Sequence, residues 1–348
     1  MKSGILTFHK SRNYGAIFQA YALCTVMNDL NIDTYIVDYQ CIEIENKLKL
    51  WEFNKNVLNS ILQFIFRYRK KLAFESFEKF YLRKSEISID REEIISVLNQ
   101  YDAIVVGSDQ VWNEQIIGND STYFLNDVRA RKIAYAASAG DTIALSERAI
   151  GYIKQFDVVS VREQKLKELL ISYDIKSCIC CDPTILAGSD CFEQIVSPKI
   201  KETGYIFVFM IWNSPPLLNN AKKFAEAKGL KIISNKDSLE FFMHCKPEEL
   251  LSWIKNAAYV FTNSFHGTVF SLLFHKKFIS SICKRNGEKN IRVQELLTCL
   301  GCENNILTDE YRQVDNIIEP NYDLVDDNLQ KIRENSIYYL KKAFDTEI

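Results

Sequence analysis

Residues 5–38 of the chain read ILTFHKSRNYGAIFQAYALCTVMNDLNIDTYIVD. A short apolar run at 5–8 is followed by a polar turn, and apolar residues at helical spacing then extend from about 15 to 30. A second apolar run at 34–38 completes a strand–helix–strand order, which is typical of a βαβ unit in a parallel sheet. This segment therefore predicts an α/β fold.

The same order of elements recurs along the chain. Further strands are predicted at 103–106, 133–137, 157–161, 177–181, 205–211, 231–234, 259–262 and 278–281. Helices are predicted near 215–228, 247–256, from 267 onward and at 326–344. Small, charged and proline residues interrupt the periodicity at 187–203, which indicates a domain boundary. The sequence thus predicts two α/β domains, 1–190 and 200–325, and a segment, 326–348, whose helix could pack back on the first domain.

The composition is typical of a globular protein rather than a membrane or nucleic-acid-binding one. Apolar residues make up 47% and charged residues 25% of 348 residues, and the net charge of −2 provides no global basic field. Neither a signal peptide nor a run of ~20 apolar residues is visible. The ten cysteines are scattered, and Cys178, Cys180 and Cys181 lack zinc-site spacing, so we expect core cysteines, no metal and a cytoplasmic location.

One polar motif follows a predicted strand in the second domain, where residues 259–268 read YVFTNSFHGT. A helix that begins there offers free backbone N–H groups to an anion, and Gly267 would let a ligand approach the backbone. Asn263, Ser264 and Thr268 add polar side chains, and His266 adds a titratable imidazole for acid–base chemistry. Alternatively, Asn263 and Ser264 cap the helix and His266 is structural. The local pattern supports both interpretations equally.

A second motif follows a predicted strand of the first domain, where residues 101–113 read YDAIVVGSDQVWN. The loop combines the carboxylate of Asp109, the amides of Gln110 and Asn113 and the indole of Trp112. Indole faces stack on sugar rings, while amides and carboxylates bind hydroxyl groups, so the mixture suits carbohydrate. The alternative is an ordinary Gly-Ser-Asp turn with a packing tryptophan.

Three further features are weaker. The loop at 12–16, which contains Asn13, occupies the phosphate-cradle position but lacks the Gly-x-Gly-x-x-Gly fingerprint, which argues against dinucleotide binding. Arg162 closes a strand and could serve either a ligand or a helix-start ion pair. Lys284 and Arg292 follow the His266 helix, where an anionic substrate would need cations, although surface solvation is the default for such charges.

Residues 47–84 are rich in basic and aromatic side chains. The basic ones are Lys47, Lys49, Lys55, Arg67, Arg69, Lys70, Lys71, Lys79, Arg83 and Lys84, and the aromatic ones include Trp51, Phe53, Phe64, Phe66 and Tyr68. Such a stretch is compatible with peripheral contact with an anionic membrane. A helix packed on the sheet, with solvated charges, is the simpler interpretation.

Several of these segments, taken together and in this order, resemble the polysaccharide pyruvyl transferase family. They are Asn13-Tyr14-Gly15-Ala16, the segment from Val106 to Asn113, Tyr135-Ala136-Ala137-Ser138-Ala139-Gly140, Val161-Arg162-Glu163, Asp182-Pro183-Thr184 and Ser264-Phe265-His266-Gly267. The resemblance extends from residue 4 to about 301. It implies two Rossmann-like domains with parallel sheets, a fold like that of GT-B glycosyltransferases, and an active site in the interdomain cleft.

The resemblance also implies the reaction. Phosphoenolpyruvate would be the donor co-substrate, with no other cofactor, and two hydroxyls of a sugar would accept the pyruvate group as a ketal. This chemistry belongs to surface polysaccharide biosynthesis, so a lipid-linked oligosaccharide at the inner face of the cytoplasmic membrane is the expected acceptor. The acceptor sugar, the ring positions, the stereochemistry and the oligomeric state are not readable from the sequence.

Residue roles follow as hypotheses, with His266 and Asp109 catalytic. The donor-binding candidates are Asn263, Ser264, Gly267, Thr268, Arg292, Arg162 and Lys284. The acceptor-binding candidates are Asn13, Gly107, Ser108, Gln110, Trp112, Asn113 and Ser138. Better-studied relatives carry arginine two positions before the family histidine, where this chain has Ser264; Arg292, Lys284 or Arg162 could replace that cation.

Two other functions compete with this one. A glycosyltransferase of GT-B fold would use a nucleotide-sugar donor, and a non-catalytic carbohydrate-binding protein would keep the fold without the reaction. Ligand-induced stabilisation separates the first rival from the expected function, since phosphoenolpyruvate should stabilise a pyruvyl transferase and a nucleoside diphosphate a glycosyltransferase.

Overall fold

The protein is described from a computed structural model, which covers residues 1–48, 57–85, 93–140, 145–283 and 290–345. The chain divides into two compact units. The first contains Met1–Ala187 and Ile332–Ile348, and the second contains Gly188–Lys331. The division falls at Gly188, whose φ of 73° interrupts a helix that extends across this point.

A six-stranded sheet forms the centre of the first unit, in the order β2-β1-β3-β4-β5-β6, with every pair parallel. Its strands are β1 (Lys2–Leu6), β2 (Asp33–Ile36), β3 (Ala103–Val106), β4 (Arg131–Ala137), β5 (Val158–Val161) and β6 (Cys178–Ile179). All four residues of β3 are buried, as expected for a parallel strand covered on both faces. The short apolar runs of the sequence are therefore buried strands.

Helices connect these strands. In the described part of the first unit they are α1 (Tyr14–Asp29), α2 (Ile42–Asn46), α3 (Val57–Tyr81), α4 (Ile94–Leu98), α5 (Glu114–Ile117), α6 (Glu147–Ile153) and α7 (Gln164–Ser172), followed by α8 (Pro183–Glu193), which ends in the second unit. α1 begins where Asn13 caps it, with the side chain accepting a hydrogen bond from the backbone of Gly15.

The second unit contains a five-stranded parallel sheet in the order β11-β10-β9-β7-β8. Its strands are β7 (Tyr205–Phe209), β8 (Lys231–Ser234), β9 (Tyr259–Thr262), β10 (Lys277–Ser281) and β11 (Ile306–Leu307). Its helices are α9 (Pro215–Lys228), α10 (Leu239–Met243), α11 (Pro247–Asn256), α12 (Phe265–Leu273), α13 (Ile291–Cys299) and the start of α14 (Tyr322–Phe344). β11, α10 and α13 were not predicted; β11 has two residues and α10 five, which are too few to show a period.

The last helix, α14, carries contacts of the first unit along its second half. Ser336 Oγ accepts a hydrogen bond from the backbone N–H of Cys181 at 3.0 Å. The hydroxyl of Tyr339 donates to the carbonyl oxygen of Ala134 in β4 at 2.8 Å. Residues from Ile332 onward therefore belong to the first unit although they come last in sequence.

The cysteines and the helix lengths bear on two general expectations from the sequence. All ten cysteines have free thiols, and burial raises the pKa of Cys24 to about 12 and of Cys181 to about 11, which keeps both protonated. Among the described residues, no helix combines the length and the apolar character needed to cross a bilayer.

Candidate active site

The turn between β9 and α12 carries the histidine motif. α12 begins at Phe265, and Ser264 is its N-cap residue: Ser264 Oγ accepts a hydrogen bond from the backbone N–H of Gly267 at 3.2 Å. The backbone N–H of Ser264 in turn donates to Thr262 Oγ1 at 3.0 Å. The capping interpretation is therefore right for Ser264, whose hydroxyl starts the helix.

Two neighbouring side chains of the motif are directed into the unit. Asn263 is fully buried, and its Oδ1 accepts from the backbone N–H of Ile211 at 2.9 Å while its Nδ2 donates to the carbonyl oxygen of Trp212 at 3.2 Å. Thr268 is also fully buried, with its hydroxyl 2.7 Å from that of Ser280. The assignment of these two side chains to the donor was wrong, because the first turn of α12 packs closely on the sheet.

Gly267 has a packing role as well. A Cβ atom added there would lie 2.4 Å from Thr262 Oγ1 and 2.9 Å from Phe209 Cδ1. Real Cβ atoms do not approach other atoms so closely, so only glycine lets α12 pack at this distance from β7 and β9. The expectation that Gly267 makes room for a ligand is corrected: it makes room for the sheet.

His266 remains half-buried in the first turn of α12. The ring of Phe265 stands nearly perpendicular to the imidazole, at 89° with centroids 5.3 Å apart. The guanidinium carbon of Arg292, from the first turn of α13, lies 5.8 Å from the centroid of the same phenyl ring. The fold thus brings an imidazole, a guanidinium and a helix N-terminus together, which suits acid–base chemistry on an anion.

The other two candidate cations are placed differently. Lys284 lies outside the described residues. Arg162, in the first unit, is buried, with Nη1 2.7 Å from Asp182 Oδ2 and Nε 3.4 Å from Glu163 Oε1. Burial alone would lower the pKa of Arg162, but the carboxylates of Glu163, Asp182 and Asp109 raise it above the ordinary value. The ion-pair interpretation is therefore right, and the assignment of Arg162 to the donor is corrected, since carboxylates surround this cation.

The tryptophan of the first-unit motif belongs to the core. Trp112 is 0% exposed, and its indole N–H donates to the carbonyl oxygen of Tyr123 at 3.2 Å. Its ring stacks on Phe124 at a centroid distance of 6.3 Å. The prediction that Trp112 stacks on a sugar was wrong, because its side chain packs in the core of the unit. The alternative of a packing tryptophan is the one that applies.

Three small residues near Trp112 are also internal. Ser108 is fully buried and donates to a carbonyl oxygen of β4 at 3.0 Å, and Ser138, equally buried, donates to Glu163 Oε1 at 2.6 Å. Gly107 has a φ of 114°, and a Cβ there would lie 2.3 Å from a carbonyl oxygen of β4. Their assignment to acceptor binding is corrected, since Gly107 and Ser108 build the loop after β3 and Ser138 builds the loop after β4.

In the part of this motif that follows β3, the side chains of Asp109, Gln110 and Asn113 keep partial exposure. Asp109 adopts a left-handed φ of 72°, and its Oδ1 accepts from the backbone N–H of Gln110 at 2.8 Å. Asn113 Nδ2 donates to Gln110 Oε1 at 2.8 Å. Asn13 is exposed at the start of α1, where it acts as N-cap. One carboxylate and two linked amides thus form the accessible polar group.

The loop after β7, which the sequence motifs do not include, lies beside the histidine motif. β7 pairs with β9 in the register Phe209↔Thr262, and the loop that follows is held by the amide of Asn263. Trp212 in this loop is half-buried, and Ile211 is exposed. Its sequence signal was available, because an aromatic and polar tract directly follows a predicted strand at the ligand-binding edge.

A charged cluster at the ends of β1 and β2 was also missed. His9 is buried with Nε2 3.0 Å from Asp38 Oδ1, and Nζ of Lys10 and Lys84 lie 2.6 Å and 3.2 Å from the same carboxylate group. Burial raises the pKa of Asp38, but hydrogen bonds from His9 and Lys10 outweigh it and lower the pKa below its usual range. Its members are up to 75 positions apart (84 − 9 = 75), so no sequence window contains them.

One group of the described residues has metal-ligand geometry. The ligand atoms of Cys41, Glu43 and Asp120 lie within 4.8 Å of one another. Burial raises the pKa of the Cys41 thiol to about 12, which disfavours the thiolate that a metal requires. Asp120 already accepts a hydrogen bond from the hydroxyl of Tyr39 at 2.6 Å. The absence of a metal from the reaction stays a prediction.

Comparison with known proteins gives both a family match and a fold match. The model of a family described as polysaccharide pyruvyl transferase matches residues 13–282. No curated protein matches the chain. Among solved structures, the UDP-GlcNAc 2-epimerase from Methanocaldococcus jannaschii has a TM-score of 0.51 at 12% identity, covering 97% of this chain and 100% of that one.

Two other solved structures have lower scores. A UDP-GlcNAc 2-epimerase from Neisseria meningitidis has a TM-score of 0.45 at 9% identity, covering 99% of this chain and 94% of that one. The E. coli heptosyltransferase WaaC has a TM-score of 0.40 at 12% identity, covering 97% and 100%. At such identities the likeness concerns the fold alone. The two parallel sheets and the likeness to the M. jannaschii epimerase confirm the predicted α/β, GT-B-like fold class.

Proposed function

Because this chain belongs to the polysaccharide pyruvyl transferase family, we propose that it transfers the pyruvate group of phosphoenolpyruvate to two hydroxyls of a sugar. The family match covers 270 of 348 residues (282 − 13 + 1 = 270) and makes the chain a member of a transferase family. The donor, the ketal product and the residue roles are our inferences from the chemistry of the two motifs. No further cofactor enters the proposal.

The observation that carries the proposal is the group formed by His266, Phe265 and Arg292 at the first turn of α12. Phosphoenolpyruvate carries a phosphate and a carboxylate, so its site needs cationic and N–H groups. Arg292 supplies the positive charge that relatives place two residues before the histidine. Phe265 fixes the spacing, since both the imidazole and the guanidinium contact its ring.

The reaction assigns a separate task to each group. His266 protonates the methylene carbon of the donor, and a sugar hydroxyl attacks C2 as positive charge develops there. The C2–O bond to phosphate then breaks, and a second hydroxyl attacks C2 to close the ketal. Of the two hydroxyl protons, one replaces the proton that His266 gave to carbon and the other leaves with phosphate. Arg292 and the N-terminus of α12 stabilise the departing phosphate.

The acceptor is assigned to groups that suit neutral hydroxyls. Asp109 is our candidate base for the attacking hydroxyl, with the amides of Gln110 and Asn113 as hydrogen-bonding partners. Trp212 replaces Trp112 as the proposed aromatic platform for the sugar ring, because it is half-buried rather than fully buried. A half-buried indole on a loop held by Asn263 would stack without displacing core atoms.

The test combines two measurements on the purified full chain. Incubation with phosphoenolpyruvate and a panel of simple and lipid-linked glycosides should release phosphate and increase the acceptor mass by one ketal-linked pyruvate group. Thermal unfolding in the presence of phosphoenolpyruvate should be shifted upward, and a nucleoside diphosphate should have little effect. Stabilisation by the nucleoside diphosphate alone would indicate a glycosyltransferase, and sugar binding without phosphate release would indicate a non-catalytic protein.

A further inference from the structure

One face of α3 exposes a continuous apolar stripe. Its members are Ile61, Ile65, Tyr68 and Leu72, which are between 41% and 47% exposed. At 3.6 residues per turn they lie within about 60° of one another around the helix axis. Leu62, at 64% exposure, extends the surface on one side. An exposed apolar surface of this length is uncommon on a protein without a partner.

The opposite face of α3 already fastens the helix to the first unit. Ala73, Phe74 and Phe77 are buried there. The ring of Phe74 lies 4.9 Å from that of Tyr14, and the ring of Phe77 lies 5.8 Å from that of Phe18, both on or at the start of α1. The apolar stripe is therefore not needed to hold the helix in place.

The charge of α3 is positive. The helix has five basic residues, Arg67, Arg69, Lys70, Lys71 and Lys79, and two acidic ones, Glu75 and Glu78, so its net charge is +3 (5 − 2 = 3), whereas the whole chain has −2. Arg69 and Lys71 lie about 80° to either side of Ile61, so they flank the apolar stripe. Lys71 Nζ lies 3.6 Å from Glu75 Oε1, and such an exposed ion pair contributes little binding energy.

Several basic residues of 47–84 interact within the unit or lie outside the described part, and on α3 itself Nζ of Lys70 lies over the rings of Tyr14 and Phe74. Lys84 pairs with Asp38 at 3.2 Å and with Glu78 at 3.1 Å, and Lys47 donates to the carbonyl oxygen of Gln115 at 3.2 Å. Lys49 and Lys55, with Trp51 and Phe53, fall outside the described residues. Within 47–84, the described surface that could contact a partner is therefore the exposed face of α3.

We propose that this face of α3 rests on a bilayer surface that contains anionic lipids. The apolar stripe would enter the boundary between headgroups and acyl chains, and Lys71 and Lys79 would lie beside lipid phosphates, as in interfacial amphipathic helices. The proposal does not depend on the reaction the protein catalyses, so either can fail without the other.

Charge favours a membrane over a second copy of the chain. In a two-fold symmetric contact each surface meets itself, so the basic flanks of one stripe would face those of the other. Beyond Leu72, the next positions on the same face of the helix are Glu75 and Lys79, which are charged. Two paired helices need a longer continuous row of apolar residues than this. Anionic headgroups, in contrast, would neutralise the flanks.

Co-sedimentation with vesicles tests this proposal on the full chain. The protein should pellet with vesicles of phosphatidylcholine containing phosphatidylglycerol and far less with phosphatidylcholine alone. The variant I65S/L72S removes half of the stripe, and K71Q/K79Q removes two cations; each should weaken binding by about 10-fold or more. The variant I171S/I318S, which alters two equally exposed isoleucines elsewhere, should bind like the unmodified protein.

The same variants distinguish membrane binding from an interface between two copies of the chain. Equal pelleting of the unmodified protein, I65S/L72S and K71Q/K79Q, or equal binding to neutral vesicles, would overturn the proposal. So would a dimer in light scattering that becomes a monomer in I65S/L72S while vesicle binding is absent, because the stripe would then be an interface between copies. Thermal unfolding verifies that the variants fold. If I65S/L72S does not fold, K71Q/K79Q still tests the proposal.

Discussion

The two sheets each present a polar motif where a buried strand ends, and the two motifs use their residues differently. In the first unit, Trp112 and Ser108 after β3 point inward, and Arg162 after β5 is bound by carboxylates. After β9, Asn263 and Thr268 also point inward, but His266 stays half-buried beside the phenyl ring that Arg292 contacts. Most motif residues thus build a loop, and few remain for a ligand.

The difference also concerns charge. Around Arg162 the carboxylates of Asp109, Glu163 and Asp182 outnumber the cation three to one. Near His266, the guanidinium of Arg292 lies over the neighbouring ring of Phe265. A phosphate or carboxylate is disfavoured beside the first group and favoured beside the second, whereas a neutral hydroxyl that must lose a proton suits the first. This contrast supports the donor at His266 and the acceptor at Asp109.

The largest expected effect separates the two tryptophans. Trp112→Ala should lower the free energy of unfolding by about 3–5 kcal/mol, because it empties a fully buried site. Trp212→Ala should change it by less than about 1 kcal/mol and instead weaken acceptor binding. Chemical unfolding and acceptor titration measure the two effects. Equal loss of stability in both variants would contradict the distinction between a core and a surface tryptophan.

Removal of the imidazole should give the next largest effect. His266→Ala should lower turnover by about 10²-fold or more, the usual contribution of general acid–base catalysis. Phosphate release from phosphoenolpyruvate measures it. His275→Ala is the matched control, since this exposed histidine lies just after α12 and pairs with Asp326; it should retain turnover. Near-normal activity of His266→Ala would remove the imidazole from the mechanism.

Removal of the carboxylate of Asp109 should lower turnover without changing the binding of the donor. Asp109→Asn should lower kcat by on the order of 10²-fold while the KM for phosphoenolpyruvate stays unchanged. Asparagine tolerates the φ of 72°, so the loop should keep its conformation. Asp127→Asn, at an exposed position with a φ of 62°, controls for the substitution itself. A raised KM for phosphoenolpyruvate would indicate that Asp109 binds the donor rather than the acceptor.

The smallest effect is expected for the guanidinium. Arg292→Ala should raise the KM for phosphoenolpyruvate by about 10-fold, the range for a hydrogen bond to a charged group, and Arg292→Lys should recover part of the loss. Steady-state kinetics at varied donor concentration measures both. Arg312→Ala, at an exposed arginine of the same unit, should behave like the unmodified protein. An unchanged KM would show that another cation binds the donor.

The sequence predicted the fold well and the site in part. The runs at 103–106 and 205–211 predicted β3 and β7 because their apolar residues are contiguous, although β7 ends at Phe209, and α1, α9 and α11 followed from helical spacing. Short elements such as β11, with two residues, lack any period. In the motifs, Ser264 was correctly considered a cap, whereas the direction of Trp112 could not be read from its neighbours.

By itself the sequence determined the order of strands and helices, the family and the positions of the two polar motifs. Only the tertiary structure decided which side chains of those motifs are buried, that Arg292 approaches the ring next to His266, and that Trp212 lies beside Asn263. The physical reason is that periodicity describes one element at a time. The loops at the end of a parallel sheet are instead packed by residues from neighbouring strands, which the chain brings together from distant positions.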